Sequence, residues 1–295
     1  MLKHVIVTGG TGVTGNALVR YLLSSNVEVT ALVRRGSGRI KNLPQAMSLH
    51  IVECDMDEYD SIDKRLSGVK YDAFFHLSWD GSMGKSKVNN RDNMYLQLQN
   101  IKYMMDAIEL CYRIGCPVFV GTGSQAEYGI CEDIISEETR EKPENGYGNA
   151  KLCAGRMGRI RCKELGIRHI WARLFSIYGP YDGTYSLIDT SIQKLIRGEA
   201  VQYTAGEQIW DYLYSYDAAR ALCLLAERGA AGEVYCVANG NARPLKKFIQ
   251  EIHGIVAPDV LPEFGMIPYT RGQTMRMEVC TDKLKQLGFT AQYSF

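Results

Sequence analysis

Two segments of the chain carry side chains able to move a proton near neutral pH. In "ENGYGNAKLCAG", Tyr147 and Lys151 stand four apart, so a helix places both on one face. A phenol with a pKa of about 10 is a poor acid–base group at neutral pH, and a neighbouring ammonium stabilises its phenolate. Among 18 tyrosines a Tyr-x-x-x-Lys spacing arises by chance about once, so position in the fold must give it weight. The second segment is "VFVGTGSQAEYG", in which Ser124 follows a buried-strand pattern. At the carboxyl edge of an open sheet its hydroxyl could hydrogen-bond a substrate oxygen beside Tyr147.

The elements that must position these groups are legible as short apolar runs alternating with amphipathic segments. Strands are predicted at Val5–Thr8, Val27–Val33, Leu49–Glu53, Ala73–Leu77, Val118–Gly121 and Arg168–Arg173. Helical patterns lie at Gly12–Ser24, Tyr59–Leu66, Asn93–Ile114 and Tyr147–Leu165. Strands without polar alternation, separated by helices, predict an α/β fold with a doubly wound parallel sheet. After Arg173 the pattern changes, and "SIYGPYDGTYS" is too rich in turn formers for another strand–helix unit. Helices are expected at Leu187–Arg197, Ala218–Arg228, Pro244–His253 and Asp282–Leu287, with strands near Tyr212 and Val234. This divides the chain into 1–173 and a smaller mixed lobe, 174–295, with segments near 212–238 returning to the first part.

"VIVTGGTGVTG" explains what the first part holds. Gly9 and Gly12 sit where the first strand turns into the first helix, whose unsatisfied amides and positive dipole end suit a pyrophosphate. Glycine permits the tight turn and close phosphate approach, and Gly15 lets the helix pack on the strand. The first part is therefore read as a dinucleotide-binding domain. The second strand ends in "ALVRRGSG", with Arg34 and Arg35 where an acidic residue would favour NAD. Arginine can pair with a 2′-phosphate, so NADP(H) is favoured, and NAD(H) stays open.

"TGGTGVTG", with Thr11 and Val13 between its glycines, resembles the T-G-x-x-G-x-x-G fingerprint of extended short-chain dehydrogenases/reductases, which work largely on nucleotide sugars. The resemblance implies an adenine contact at Asp55 and Met56 in "VECDMD", and a cofactor-lining stretch at His76, Leu77 and Ser78 in "FFHLSW", similar to H-L-A-A. "GSQAEYG" is similar to the family's S-S-x-x-V-Y-G stretch, with Ser124 four before Tyr128, and Asn100 matches a helix asparagine holding water against the lysine. The catalytic set implied is Ser124, Tyr147, Lys151 and Asn100. Candidate substrate contacts are Gln125, Arg173, Ser176, Tyr178, Asp211 and Arg271, the arginines suiting a diphosphate through bidentate pairing. Family members commonly dimerise through the two long helices, which implies a homodimer.

One departure bears on the reaction. The 4,6-dehydratases of the group follow the Ser/Thr with an Asp-Glu pair that eliminates water, whereas this chain has Gln125 and Ala126, with Glu127 displaced by one. Net reduction or epimerisation remains. A net reductase draws hydride from a pool kept reduced, usually NADPH, so the two arginines favour reduction of the C4 ketone of a nucleotide-linked 4-keto-6-deoxysugar. "GSQAEYG" with "WDYLY" also looks like the 4-ketoreductases of deoxysugar pathways. A 4-epimerase with retained NAD is the alternative, and a non-catalytic dinucleotide sensor would not need the trio.

The totals agree with this reading. A chain of 295 residues with net charge +1 gives no electrostatic reason to expect nucleic acid or an anionic membrane as partner. No apolar stretch approaches the ~20 residues of a membrane span, and the N-terminus has no signal-like apolar region. Nine scattered cysteines without a Cys-x-x-Cys pair predict reduced thiols, no metal site and a cytoplasmic protein.

Overall fold

The computed structural model describes residues 1–82, 90–183, 186–270 and 272–295. In chain order the main elements are β1 (His4–Thr8), α1 (Val13–Ser24), β2 (Glu28–Val33), β3 (Leu49–Glu53), α2 (Asp63–Leu66), β4 (Ala73–His76), α3 (Met94–Arg113), β5 (Val118–Ser124), α4 (Gly146–Glu164) and β6 (Arg168–Leu174). There follow β7 (Ile177–Tyr178), α5 (Leu187–Ile196), β8 (Ile209–Trp210), β9 (Leu213–Tyr214), α6 (Ser215–Arg228), β10 (Glu233–Val237), β11 (Arg243–Pro244), α7 (Leu245–Val256), β12 (Arg276–Met277) and α8 (Asp282–Gln286).

Seven strands form one parallel sheet in the order β10-β6-β5-β4-β1-β2-β3. Its central strands are buried on both faces, which is why β1, β4 and β5 read as unbroken apolar runs. One face packs on α1 and α6 through Leu18, Leu22, Ala218 and Leu222, the other on α3 and α4 through Met104, Ile108, Ala154 and Cys162. The fold is the expected doubly wound α/β arrangement. Strand order reverses between β1 and β4, so a crevice opens at their carboxyl ends, where such sheets bind ligands.

Three differences from the sequence reading have local causes. The helix expected over Tyr59–Leu66 is shortened to the four-residue α2, and a 3-10 turn at Met56–Glu58 precedes it, in which Glu58 turns back to accept the Asp55 N–H at 2.8 Å. β5 runs three residues further than expected, pairing with β6 until Ser124 meets Leu174. The strand expected near Tyr212 is two short pieces, β8 and β9, on either side of it, in the two smaller sheets β11-β8-β12 and β7-β9. The strand near Val234 is β10, at the edge of the main sheet beside β6.

A separate apolar cluster after β6 joins α5 to α7 through Ile188, Leu195, Phe248 and Ile252. It meets the main sheet at a seam of Tyr128, Phe175, Cys236 and Met277. Among the described residues no helix is long and apolar enough to cross a membrane, no His/Cys/Asp/Glu group is arranged to hold a metal, and the cysteines are free thiols.

The turn from β1 into α1 is tightly packed. Gly9 has φ +70°, and a Cβ on Gly15 would lie 2.1 Å from the Gly9 carbonyl oxygen. Gly15→Ala must therefore push α1 off the turn. It is expected to cost about 1–3 kcal/mol, as overpacking does. Urea unfolding of the variant beside the parent measures this, and equal midpoints would contradict it.

Candidate active site

The crevice holds a 610 Å³ cavity running from the glycine turn, past the ends of β4 and β5, to the start of α4. Gly9, Gly12, Val13, Gly15 and Leu77 line one end, with Ser124, Gln125, Tyr147, Lys151 and Ser176 along the other walls. Thr274 and Met277, from the segment around β12, close it from the far side.

α4 delivers two of the catalytic candidates because its first turn is pinned at three points. The Asn145 side chain caps it by accepting the Gly148 N–H at 2.8 Å. Asp92 accepts the Gly146 N–H at 2.9 Å. Gly148 abuts Ala126, where a Cβ would come 2.3 Å from the carbonyl oxygen. Tyr147 then faces the cavity and Lys151, one turn on, reaches beneath it. Lys151 is only 4% exposed, and its Nζ donates to the Thr122 carbonyl at 2.8 Å. The same ammonium lies 3.9 Å from the centroid of the Trp79 ring and 5.9 Å from that of Tyr147.

Burial pushes the Lys151 pKa down to about 7, with Glu127 pulling it upward. Burial likewise raises the Tyr147 phenol above its usual value. The opposing pull on the phenol comes from Ser124 and Arg91, whose guanidinium carbon stands 4.8 Å from the tyrosine ring centroid. Both act beside the Lys151 ammonium that the sequence reading expects to stabilise the phenolate.

Ser124 is held at the end of β5 by its N–H, which donates to Glu127 Oε1 at 2.7 Å. Glu127 is fully buried and also accepts the Trp171 indole at 3.1 Å and Arg173 Nε at 2.7 Å. Gln125 Oε1 accepts both the N–H and the hydroxyl of Ser176 at 3.2 Å, and Ser176 takes the left-handed φ of 39° at the cavity wall. The backbone N–H can only donate, so the contact identifies the amide oxygen and turns the Gln125 NH2 away from Ser176.

The glycine end fits a dinucleotide phosphate. Gly12 is the N-cap of α1 and offers no side-chain cap, so the first-turn amides have no side-chain acceptor. Thr11 belongs to the same turn. A Cβ at Gly9 would meet the Leu77 carbonyl carbon at 2.7 Å, which explains the glycine between the ends of β1 and β4. Arg34 and Arg35 are exposed at the end of β2, and Arg35 pairs with Glu58 at 2.5 Å. Asp55 and Met56 lie half-buried beside them after β3.

Other expected residues are occupied elsewhere. His76 is buried, hydrogen-bonded to Thr8 at 3.1 Å, and burial together with the Lys151 charge pushes its pKa down to about 3. Ser78 donates its N–H to the same threonine at 3.2 Å. Asn100 clamps the loop after β4, bonding the Asp80 N–H and carbonyl at 2.9 Å each, instead of facing Lys151. Arg173, 2% exposed, is consumed by Glu127 and by Glu141 at 2.7 Å, which removes it from the cavity and corrects its expected grip on a diphosphate. Asp211 is fully buried and caps the Asn239 and Gly240 N–H groups at 3.0 and 2.6 Å. Tyr178 packs on Tyr214 and Phe295, away from the cavity lining. Arg271 lies outside the described residues.

Trp79, Arg91 and Thr122 line the cavity and were not selected from the sequence. Trp79 carried a usable signal, a large aromatic where the resembling stretch H-L-A-A has alanine. Arg91 and Thr122 carried none, because the first is brought in by the turn before α3 and the second acts through its backbone oxygen.

The comparisons with known proteins agree with this geometry. Residues 5–238 match the family described as the NAD dependent epimerase/dehydratase family. The chain is 27% identical to a dTDP-glucose 4,6-dehydratase of Escherichia coli, across 99% of this chain and 90% of that one. It is also 27% identical to an ADP-L-glycero-D-manno-heptose-6-epimerase of Nitratidesulfovibrio vulgaris, across 98% and 93%. Among solved structures, a UDP-glucose 4-epimerase of Thermotoga maritima superposes with a TM-score of 0.84 at 21% identity, covering 99% of this chain and 94% of that one.

Two measurements test the site's energetics. Glu127→Gln leaves the Arg173 charge short of a buried partner and is expected to cost about 3–5 kcal/mol in denaturant unfolding. Lys151 titrates near 7 when folded against about 10.5 for an ordinary lysine, so the unfolded chain binds more protons between those values. Stability of the parent relative to Lys151→Met should therefore rise with pH from about 7 to about 10. Thermal melts across that range check the sign, and a flat difference would refute it.

Proposed function

We infer the reaction from the premise that the chain belongs to the NAD dependent epimerase/dehydratase family, together with the residues around its cavity. We propose NADPH-dependent reduction of the C4 ketone of a nucleotide-linked 4-keto-6-deoxysugar. The observation that carries this reading is the combination of Ser124, Tyr147 and Lys151 on one cavity with Gln125 and Ala126 where an elimination pair would stand. Gln125 has no titratable proton, and Glu127 is sealed in its ion pair with Arg173.

The chain's own residues then have distinct tasks. The nicotinamide supplies the hydride when bound. Ser124 offers its hydroxyl to the sugar carbonyl oxygen, which gains negative charge as the carbon is reduced. Tyr147 hands its phenolic proton to that oxygen. Lys151 steadies the resulting phenolate and is suited to the cofactor's ribose hydroxyls. The glycine turn and the amides opening α1 receive the pyrophosphate, and the exposed Arg34 is available to a 2′-phosphate.

A second reading, a 4-epimerase with retained NAD, draws support from two observations. Arg35 is tied to Glu58, which halves the cationic pair available to a 2′-phosphate. Structures of the same fold include an epimerase with UDP-glucose and one with NAD. We also propose a homodimer through α3 and α4, which carry exposed Met94, Tyr95, Leu98, Met157 and Ile160.

The deciding experiment offers CDP-, dTDP-, GDP- and UDP-linked 4-keto-6-deoxysugars with NADPH and follows nicotinamide absorbance. Oxidation of NADPH with one of them is expected. Interconversion of UDP-hexoses with NAD and no NADPH consumption would replace reductase by epimerase. Tyr147→Phe should lower turnover by about a hundredfold or more, with nucleotide binding retained.

A further inference from the structure

We propose that Trp79 is the positioning residue for Lys151, its indole face holding the amine at the cavity wall in a fixed direction. A lysine has four rotatable bonds and an isolated ammonium would sample many of them. Among the described residues its nearest contacts are the Thr122 carbonyl at 2.8 Å and the Trp79 ring at 3.9 Å, and neither is a carboxylate. The π face carries the negative part of the ring's quadrupole and so attracts the cation with direction.

The ring is itself fixed from behind. Its Nε1 donates to Gln97 Oε1 at 2.9 Å, and Gln97, buried on α3, donates in turn to the Asn90 carbonyl at 2.9 Å. The indole also stands nearly perpendicular to Tyr147, at 85° with centroids 6.2 Å apart. One side chain thus touches both the phenol and the amine, and it is anchored by a hydrogen bond that leaves its face clear. The titratable and charged groups that face the amine are Glu127, which favours its charge, and His76, buried below it, with Tyr147 on the same helix and Arg91 across the tyrosine ring. The amine's depressed pKa fits a site where an aromatic face stands in for water.

The test needs no turnover. In full-length protein labelled with [ε-13C]lysine, the Lys151 signal is assigned by its loss in Lys151→Met. Its ε protons should be displaced upfield by the Trp79 ring current, the displacement vanishing in Trp79→Leu and persisting in reduced form in Trp79→Phe. The dissociation constant for whichever of NAD+ and NADPH the parent binds more tightly should rise about three- to thirtyfold in Trp79→Leu. It should stay within about threefold of the parent in Trp79→Phe. A parent signal with no upfield displacement overturns the proposal, as does a Trp79→Leu protein that binds the nucleotide like the parent. If Trp79→Leu fails to fold by circular dichroism, the parent's displacement and the Trp79→Phe comparison decide. Only the binding arm rests on the dinucleotide reading. If neither nucleotide binds, that reading fails while the ring-current arm still decides the role of Trp79.

Discussion

The carboxylate of Glu127 is the point on which the geometry of the candidate site depends. A fully buried charge survives in a protein interior only when its oxygens are satisfied, and here they meet the Ser124 N–H, the Trp171 indole and the Arg173 guanidinium. Those three partners come from the end of β5 and from neighbouring positions on β6. The bonds therefore lock the end of one strand to the next and set where Ser124 leaves the sheet. Trp171 could not reach the carboxylate if the surrounding chain carried side chains. A Cβ at Gly123 would fall 2.5 Å from its Nε1, and one at Gly155 on α4 would fall 2.6 Å from its ring. The same bareness lets α4 settle close to β5, so that Tyr147 and Lys151 share the cavity with Ser124.

This arrangement separates structural charge from chemical charge. Arg173 and Glu127 neutralise each other beneath the cavity floor, with Glu141 completing the pair. Lys151, in the cavity lining, has an aromatic face and a carbonyl in place of a carboxylate. A lysine paired tightly to a carboxylate would be fixed as a cation. One held by weaker, uncharged partners in a dry site sits near its neutral form and responds to whatever enters. His76 shows the same effect carried further, since burial beside that ammonium keeps its ring neutral and confines it to tying β1 to β4.

Gln125, Ala126 and Glu127 form the turn that follows β5 along one wall of the cavity. Gln125 spends its carbonyl on Ser176, Ala126 offers only a backbone oxygen against α4, and Glu127 faces inward. A wall built this way keeps a hydroxyl and a phenol at the cavity, and these three residues themselves present no carboxylic acid there, the acid nearest in the lining being Glu144 before α4. The fold that this chain shares with solved dehydratase and epimerase structures is preserved around that turn of three residues.

The alternation of elements and the glycine turn were legible in the chain itself because each depends on local spacing, and the Ser124–Tyr147–Lys151 set was legible once that fold gave its positions weight. Apolar runs with no polar alternation mark strands buried on both faces, and a four-residue step puts two side chains on one helical face. Boundaries slipped where a side chain doubled back, as Glu58 does to Asp55. The fate of the charged candidates was not legible. Arg173 and Asp211 had the right chemistry for a diphosphate and a sugar, yet one is consumed by Glu127 and Glu141 and the other by two backbone amides. Conversely Trp79 and Arg91 reach the phenol and the amine from the two ends of the loop between β4 and α3. The sequence by itself determined which residue types stand on which element. Only the tertiary structure decided which of them face the cavity, because a charge's partner is whatever distant segment the packing brings within about 3 Å.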